Sequence, residues 1–274
     1  MSSSPGPVPS RMTVPAFRAR KGTGSSLVVL TAYDVATATA AEEGGVDCLL
    51  VGDSLGNVVL GYASTLPVTM EDMLHHARAV GRVRRSALLV VDMPWLSFHL
   101  GVEDTLKNAA RFVREAGADA VKLEGGARRV AAIEALLDAE IPVMGHIGLT
   151  PQSVLTMGGY RVQGRDEAAA EALVREARAL AAAGVFSMVL EGIPAPLASR
   201  ITREVDVPTI GIGAGADCDG QVLVIHDLLG MLPGPVPRFV RRYARVHEEQ
   251  VNGIRRWAED VRSGAFPSAG ETYG

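Results

Sequence analysis

"AVKLEGG", residues 120–126, is the stretch on which the reading of this chain turns. Ala120, Val121 and Leu123 make a short apolar run of the kind that forms a buried strand. Lys122 and Glu124 interrupt it two positions apart, so in a strand both point to the same face. Lys122 is one of only three lysines, with Lys21 and Lys107, among 27 basic residues. A buried charge is costly unless it is paired or put to use. The fold and the function both depend on what that face looks onto.

The neighbouring sequence repeats the pattern. Apolar runs occur at "SLVVLTAYD" (26–34), "CLLVGDS" (48–54), "ALLVVDMP" (87–94), "IPVMGHIGL" (141–149), "SMVLEGI" (187–193), "VPTIGIGAG" (207–215) and "QVLVIHD" (221–227). Amphipathic, Ala-rich stretches lie between them, among them 69–83, 103–116, 128–139 and 167–183. Near-continuous apolar strands are buried on both faces, as in parallel sheets, and their alternation with helices defines βα units. Eight strand candidates in 274 residues predict a (β/α)8 barrel; a doubly wound open sheet is the rival. One gap strains the barrel reading. Only "ADCDG" separates the seventh and eighth runs, too short for a crossover helix. Either the eighth strand is misplaced or that unit is degenerate. The segment 237–262 is expected to be the last helix, with a disordered tail over residues 1–11, one barrel domain over 12–262 and a loose tail over 263–274.

Composition narrows the function. The chain is 47% hydrophobic with a net charge of −4 and a pI near 5.9, which suits neither nucleic acid nor an anionic membrane as the main partner. No run approaches the roughly 20 apolar residues of a membrane span, and the Ser/Pro-rich start lacks the apolar segment of a secretory signal. Two cysteines, Cys48 in an apolar run and Cys218 in a polar loop, indicate a reducing, cytoplasmic setting rather than a disulfide scaffold.

Polar residues mark the ends of the strands. Asp34, Asp53, Asp92, Glu124, His146 and Glu191 each close a predicted strand at its C-terminal end, and in a parallel barrel those ends gather at one mouth. Asp34 precedes a helical run and equally suits a cap. Asp53 and Asp92 are hard oxygen donors of the type Mg2+ takes, and no CxxC or HExxH spacing supports zinc. Lys122 has two readings: a cation for a substrate oxyanion, or half of a structural pair with Glu124. Glu191 suits a general base or the partner of an Arg. For His146 a satisfied rim position is favoured over a proton relay. "GIGAG" (211–215) suits close backbone approach or an anion nest rather than a dinucleotide loop, and "GGYRVQGR" (158–165) suits a lid, a ligand contact or an interface loop.

Taken together, "GDSLGNVVLGYASTLPVTMEDM", "DMPW", "NAARFVREAGADAVKLEGG", "VMGHIGLTPQSVLTMGGYRVQGR", "MVLEGIP" and "PTIGIGAGADCDGQVLVIHDLLG" resemble the ketopantoate (3-methyl-2-oxobutanoate) hydroxymethyltransferase family over about residues 12–245. The resemblance implies a TIM barrel of the phosphoenolpyruvate/pyruvate superfamily. It implies transfer of a one-carbon unit from 5,10-methylenetetrahydrofolate to 3-methyl-2-oxobutanoate, giving 2-dehydropantoate, the first step toward pantothenate and coenzyme A. By motif, Asp53, Asp92 and Glu124 resemble the Mg2+ site, Glu124 acting through water. Asp53, Ser54, Asp92 and Lys122 resemble substrate contacts, and Glu191 the proton acceptor. A 2-oxo acid chelating Mg2+ would form a stabilised enolate once C3 loses its proton. A homo-oligomer, often a decamer in the family, is also implied. A Mg2+-dependent lyase or mutase on the same barrel is the alternative; it would need no folate.

Overall fold

The structure is a computed structural model that describes residues 11–273. The expected N-terminal tail, apart from Arg11, lies outside the described residues; Arg11 pairs with Asp119. The chain forms two compact units, one ending at Val224 and one beginning at Ile225.

In the first unit eight parallel strands close into a barrel in chain order: β1 (Leu27–Thr31), β2 (Cys48–Val51), β3 (Leu88–Asp92), β4 (Ala120–Glu124), β5 (Val143–Gly148), β6 (Ser187–Glu191), β7 (Thr209–Ile212) and β8 (Gly220–Leu223). Its helices are α1 (Val14–Arg18), α2 (Val35–Glu43), α3 (Leu55–Val58), α4 (Met70–Val83), α5 (Val102–Ala116), α6 (Val130–Asp138), α7 (Val154–Met157), α8 (Glu167–Ala183) and α9 (Ala195–Glu204). The closed sheet settles the fold as a (β/α)8 barrel, not an open doubly wound sheet.

Local chemistry accounts for the helix ends. Asp34 caps α2 by accepting from the Thr37 backbone N–H, while Thr37 Oγ1 answers the Asp34 N–H. Asp34 is therefore a cap and not part of the mouth. Thr69 and Asp72 make the same reciprocal cap on α4, and Gly117 ends α5 in the left-handed conformation.

The eighth strand is real and its unit is degenerate. β8 pairs in parallel with β7 and β1, and no helix intervenes between β7 and β8. The outer face there is correspondingly uncovered, with Val28 of β1 49% exposed. β8 also ends earlier than the sequence suggests, because Ile225 begins a helix.

Inward-pointing residues divide the barrel into two levels. Leu27, Val29, Leu50, Leu88, Val90, Ala120, Met144, Ile210 and Val222 form one apolar cluster. Phe17 of α1 closes it below, packing edge-on against Phe186 at 5.7 Å. Each such large side chain contributes about 1.5–3 kcal/mol through burial. Toward the C-terminal strand ends the same inward register turns polar, with Thr31, Asp92, Lys122, Glu124 and His146 all buried.

The second unit contains α10 (Ile225–Leu229) and α11 (Val246–Ser263). The helix expected over 237–262 thus starts later. Pro233, Pro235 and Pro237 fix φ and withhold N–H groups up to the start of that span, and residues 238–245 are likewise not helical. Within 263–273 a short 3-10 turn, Ala269–Glu271, is capped by Ser268.

One glycine couples the fold to the mouth. Gly148, at the end of β5, has φ of +96°, and a Cβ there would lie 2.2 Å from the Glu191 carbonyl oxygen. That carbonyl accepts from the Leu149 N–H at 2.8 Å. Gly148→Ala should lower stability by about 1–3 kcal/mol from the overlap alone and reduce activity by displacing the end of β6. An unchanged urea midpoint would contradict this packing.

Candidate active site

Strand register builds the site. β3 and β4 align Asp92 with Lys122, and β4 and β5 align Glu124 with His146. Side chains level with each other on adjacent strands share a face, so four titratable groups converge inside the mouth. β5 and β6 align Gly148 with Glu191, which places Glu191 one level higher. The turn after β2 swings Asp53 over the same space, and its backbone N–H donates to Asp92 Oδ2 at 3.1 Å.

Lys122 pairs with Asp92, not with Glu124. Its Nζ lies 3.1 Å from Asp92 Oδ1 and 3.1 Å from His146 Nδ1. The Lys122–Glu124 ion pair, one of the two readings of Lys122 in the sequence, does not form among the described residues. Glu124 instead accepts from the Gln152 backbone N–H at 2.9 Å and faces His146 Nδ1 at 3.5 Å. Glu191 Oε2 lies 3.2 Å from His146 Nε2, so its partner is a histidine, not an Arg. Ser54 Oγ is held by the Tyr33 hydroxyl at 2.8 Å. Asp53, Ser54, Asp92, Lys122, Glu124, His146 and Glu191 all line one cavity of about 150 Å3. Of the strand-end residues singled out in the sequence, all but Asp34 are therefore brought to one place.

The electrostatics show what this cavity lacks. Burial raises the proton affinity of Asp53 well above the ordinary carboxylate range, and the charges of Glu124 and Asp92 raise it further. Burial also lifts Asp92, although Lys122 opposes the shift. Glu124 is lowered despite its burial, because His146 and Lys122 favour its ionised form. Lys122 is raised: burial alone would lower it, but Asp92, Glu124 and Asp53 outweigh burial. Burial and Lys122 likewise oppose protonation of His146, yet Glu124 and Glu191 lift its pKa to about 9. Protonated, the ring donates to both carboxylates; deprotonated at Nδ1, it can accept from Lys122.

With these groups ionised, four carboxylates face two cations, an excess of two negative charges. A single divalent cation would neutralise it. Among the described residues no group of three or more His, Cys, Asp or Glu side chains has the arrangement to hold a metal alone. That donor set suits Mg2+, which binds through one or two carboxylates and takes its other ligands from water and substrate. Asp53 and Asp92 are the residues that could hold it.

The structure adds residues that the sequence reading left out or misjudged. His146, 2% exposed, is the hub of the network, not a satisfied rim residue. Gln152 and Tyr33 hold the carboxylates and Ser54, and neither carries a charge or a spacing that would have marked it. Tyr160, from the Gly/Arg loop, lines the cavity, as a ligand contact would. "GIGAG" serves close approach: a Cβ at Gly215 would lie 2.5 Å from that of Ala195, at the start of α9. Cys218, despite its polar loop, is buried like Cys48.

Fold and site together define a (β/α)8-barrel enzyme with a charged mouth. Among solved structures the fold is similar to a 2,3-dimethylmalate lyase described as a member of the PEP mutase/isocitrate lyase superfamily. That match has a TM-score of 0.60 at 18% identity, covering 95% of this chain and 90% of the other. It is also similar to a phosphoenolpyruvate phosphomutase from Streptomyces platensis subsp. rosaceus, with a TM-score of 0.61 at 15% identity, covering 92% and 88%. In sequence the likeness is far stronger. A family model described as Ketopantoate hydroxymethyltransferase matches residues 11–269. A 3-methyl-2-oxobutanoate hydroxymethyltransferase from Koribacter versatilis is 52% identical over 273 residues, 100% of this chain and 92% of the relative. Another, designated 3-methyl-2-oxobutanoate hydroxymethyltransferase 2, from Bradyrhizobium diazoefficiens, is 55% identical over 263 residues, 96% and 89%. The chain belongs to the ketopantoate hydroxymethyltransferase family of transferases.

The raised pKa of His146 has a measurable sign. A group lifted from 6.5 to about 9 contributes stability that is fully present below pH 6.5 and is lost as pH rises through 9. In metal-free protein the stability advantage of the parent over His146→Gln should therefore be largest at or below pH 6.5 and shrink toward pH 9. Urea titrations across that range provide the check; a constant difference would mean that His146 is not held protonated.

Proposed function

We propose that the chain transfers a one-carbon unit from 5,10-methylenetetrahydrofolate to 3-methyl-2-oxobutanoate, giving 2-dehydropantoate, with Mg2+ as its metal. One observation carries the reading: Lys122, Asp53, Asp92 and Glu191 open onto a single small cavity in a chain of this family.

When bound, Mg2+ would supply Lewis-acid polarisation of the 2-oxo group, making the C3 proton more acidic. Asp53 and Asp92 are the residues assigned to hold it, with Glu124 behind them. Lys122, paired with Asp92, presents a compact ammonium to the substrate oxygens. An Arg would not reproduce that point charge. Ser54, oriented by Tyr33, offers a hydroxyl beside the carboxylate of the oxo acid.

Glu191 is the base for the C3 proton. It is the least buried of the four carboxylates, with a side chain 18% exposed, at the level a substrate would occupy. His146 Nε2 lies 3.2 Å from one of its oxygens. The carbanion at C3 would bond to the methylene carbon while both bonds from that carbon to the folate nitrogens break; water adds the hydroxyl of the product, and tetrahydrofolate leaves with its two nitrogens protonated by the C3 proton and the remaining water proton. Burial of the surrounding groups limits competing protonation by solvent.

Two further parts of the reading have narrower support. A homo-oligomer, of the decameric kind often formed in the family, rests on the family likeness. A cytoplasmic setting rests on the two buried free thiols; no helix among the described residues is long and apolar enough to cross a membrane.

Glu191→Gln separates binding from chemistry. The amide keeps the size of the side chain but cannot accept the C3 proton. Mg2+ and 3-methyl-2-oxobutanoate should bind as in the parent, while turnover with the folate falls about 10²–10⁴-fold. Deuterium exchange at C3, followed by NMR in D2O, should fall with it. Parent-like exchange in a variant that binds substrate would remove Glu191 from the base role. A parent protein that turns over the oxo acid without folate would overturn the transferase reading.

A further inference from the structure

Gln152 joins more of the site than any residue assigned a chemical role. It lies in the turn after β5 and is 6% exposed. Its side-chain Nε2 donates to Asp53 Oδ2 at 2.8 Å and to the Met93 carbonyl at 2.9 Å. Its backbone N–H donates to Glu124 Oε2 at 2.9 Å. One residue thus holds an oxygen of each of two carboxylates on different strand ends, and anchors both to the backbone that follows Asp92.

The amide orientation is forced by chemistry. Asp53 Oδ2 and Met93 O are both acceptors without a proton to give when the carboxylate is ionised, so the group between them must be the NH2. The other end, Oε1, is buried and has no hydrogen-bond partner among the described residues. A buried acceptor without a partner weakens a fold, so a well-packed apolar side chain would serve stability better here. What the glutamine supplies is donors, and both donors serve the orientation of the Asp53 carboxylate.

We infer that Gln152 is the positioning residue of the cation site: it holds Asp53 Oδ2 against the Met93 backbone, fixing the carboxylate plane so that the other oxygen is available to a divalent cation. The inference rests on the assignment of Asp53 to Mg2+ made above. Without Gln152 the carboxylate, already repelled by Glu124 and Asp92, would rotate among several orientations, and each binding event would have to order it. Outer-shell partners of this kind typically govern about 10–100-fold in metal affinity.

The test uses Gln152→Met, which keeps length and removes the amide, with Gln152→Leu as a second variant that also lacks the donors and adds no charge. Neither change touches the backbone N–H, so the bond to Glu124 is retained in both. Mg2+ is titrated by calorimetry into full-length protein, without substrate, after circular dichroism confirms folding. The expected result is a Kd about 10–100-fold weaker than the parent's. Turnover should recover substantially when the Mg2+ concentration is raised, a rescue that general loosening of the fold would not show. A folded variant of either kind with the parent's Kd would overturn the inference and leave the Mg2+ assignment intact. A weaker Kd with no recovery at saturating Mg2+ would also overturn it, since the residue would then act on something other than cation binding. A parent that binds no Mg2+ would remove both readings together.

Discussion

The contact between Lys122 and Asp92 is the constraint on which the rest of the mouth depends. Both groups are almost fully buried, and both come from the inward face of adjacent strands brought level by the β3–β4 register. Breaking a buried pair by removing one partner typically costs about 3–5 kcal/mol, because the remaining charge has no solvent. The pair therefore locks the register. With Lys122 level with Asp92, Glu124 lies level with His146, and His146 can reach Glu191 from the next strand. One pairing sets the level of Glu124, His146 and Glu191, while Asp53 reaches the site from the turn after β2.

Below that layer the barrel is an ordinary apolar core; above it the same inward positions carry charge. The change occurs within single strands: Val90 is followed inward by Asp92, Ala120 by Lys122 and Glu124, Met144 by His146. The lower layer supplies stability that the upper layer consumes. Raised proton affinity at Asp53 and Asp92 means that their ionised forms oppose the fold, and the apolar cluster closed by Phe17 must outweigh them. Under the proposed reading a divalent cation that binds only the folded form would offset that cost by mass action.

Much of this was legible in the sequence, and what was not has a physical reason. Apolar runs named the strands, and α8 matches its expected span, Glu167–Ala183, because a long amphipathic period with a good cap leaves little freedom. The carboxylates are visible in the sequence because Asp92, Glu124 and Glu191 close strands and Asp53 follows one by two residues. Partnerships were not visible. Which residue Lys122 pairs with depends on register between strands, and Glu124 is its near neighbour in sequence while Asp92 is its neighbour in space. His146 looked like an isolated histidine for the same reason. Gln152 gave no signal, since a neutral amide has no spacing rule of its own. The short "ADCDG" connection flags the degenerate eighth unit, whereas the final helix is overextended over 237–245, a span that local hydropathy does not exclude.

The central claim of the proposed reading is that the mouth, with its carboxylates ionised, carries an excess of negative charge that a divalent cation would balance. The most direct test is thermal unfolding of Asp53→Asn and of the parent, each in chelator and in increasing Mg2+. The account predicts that Asp53→Asn melts higher than the parent in chelator, because a buried charge facing Asp92 and Glu124 is gone while Asn can still accept from Gln152. It also predicts that Mg2+ raises the melting temperature of the parent and leaves the variant nearly unmoved. A variant that melts lower than the parent in chelator and still gains the parent's full stabilisation from Mg2+ would contradict the account.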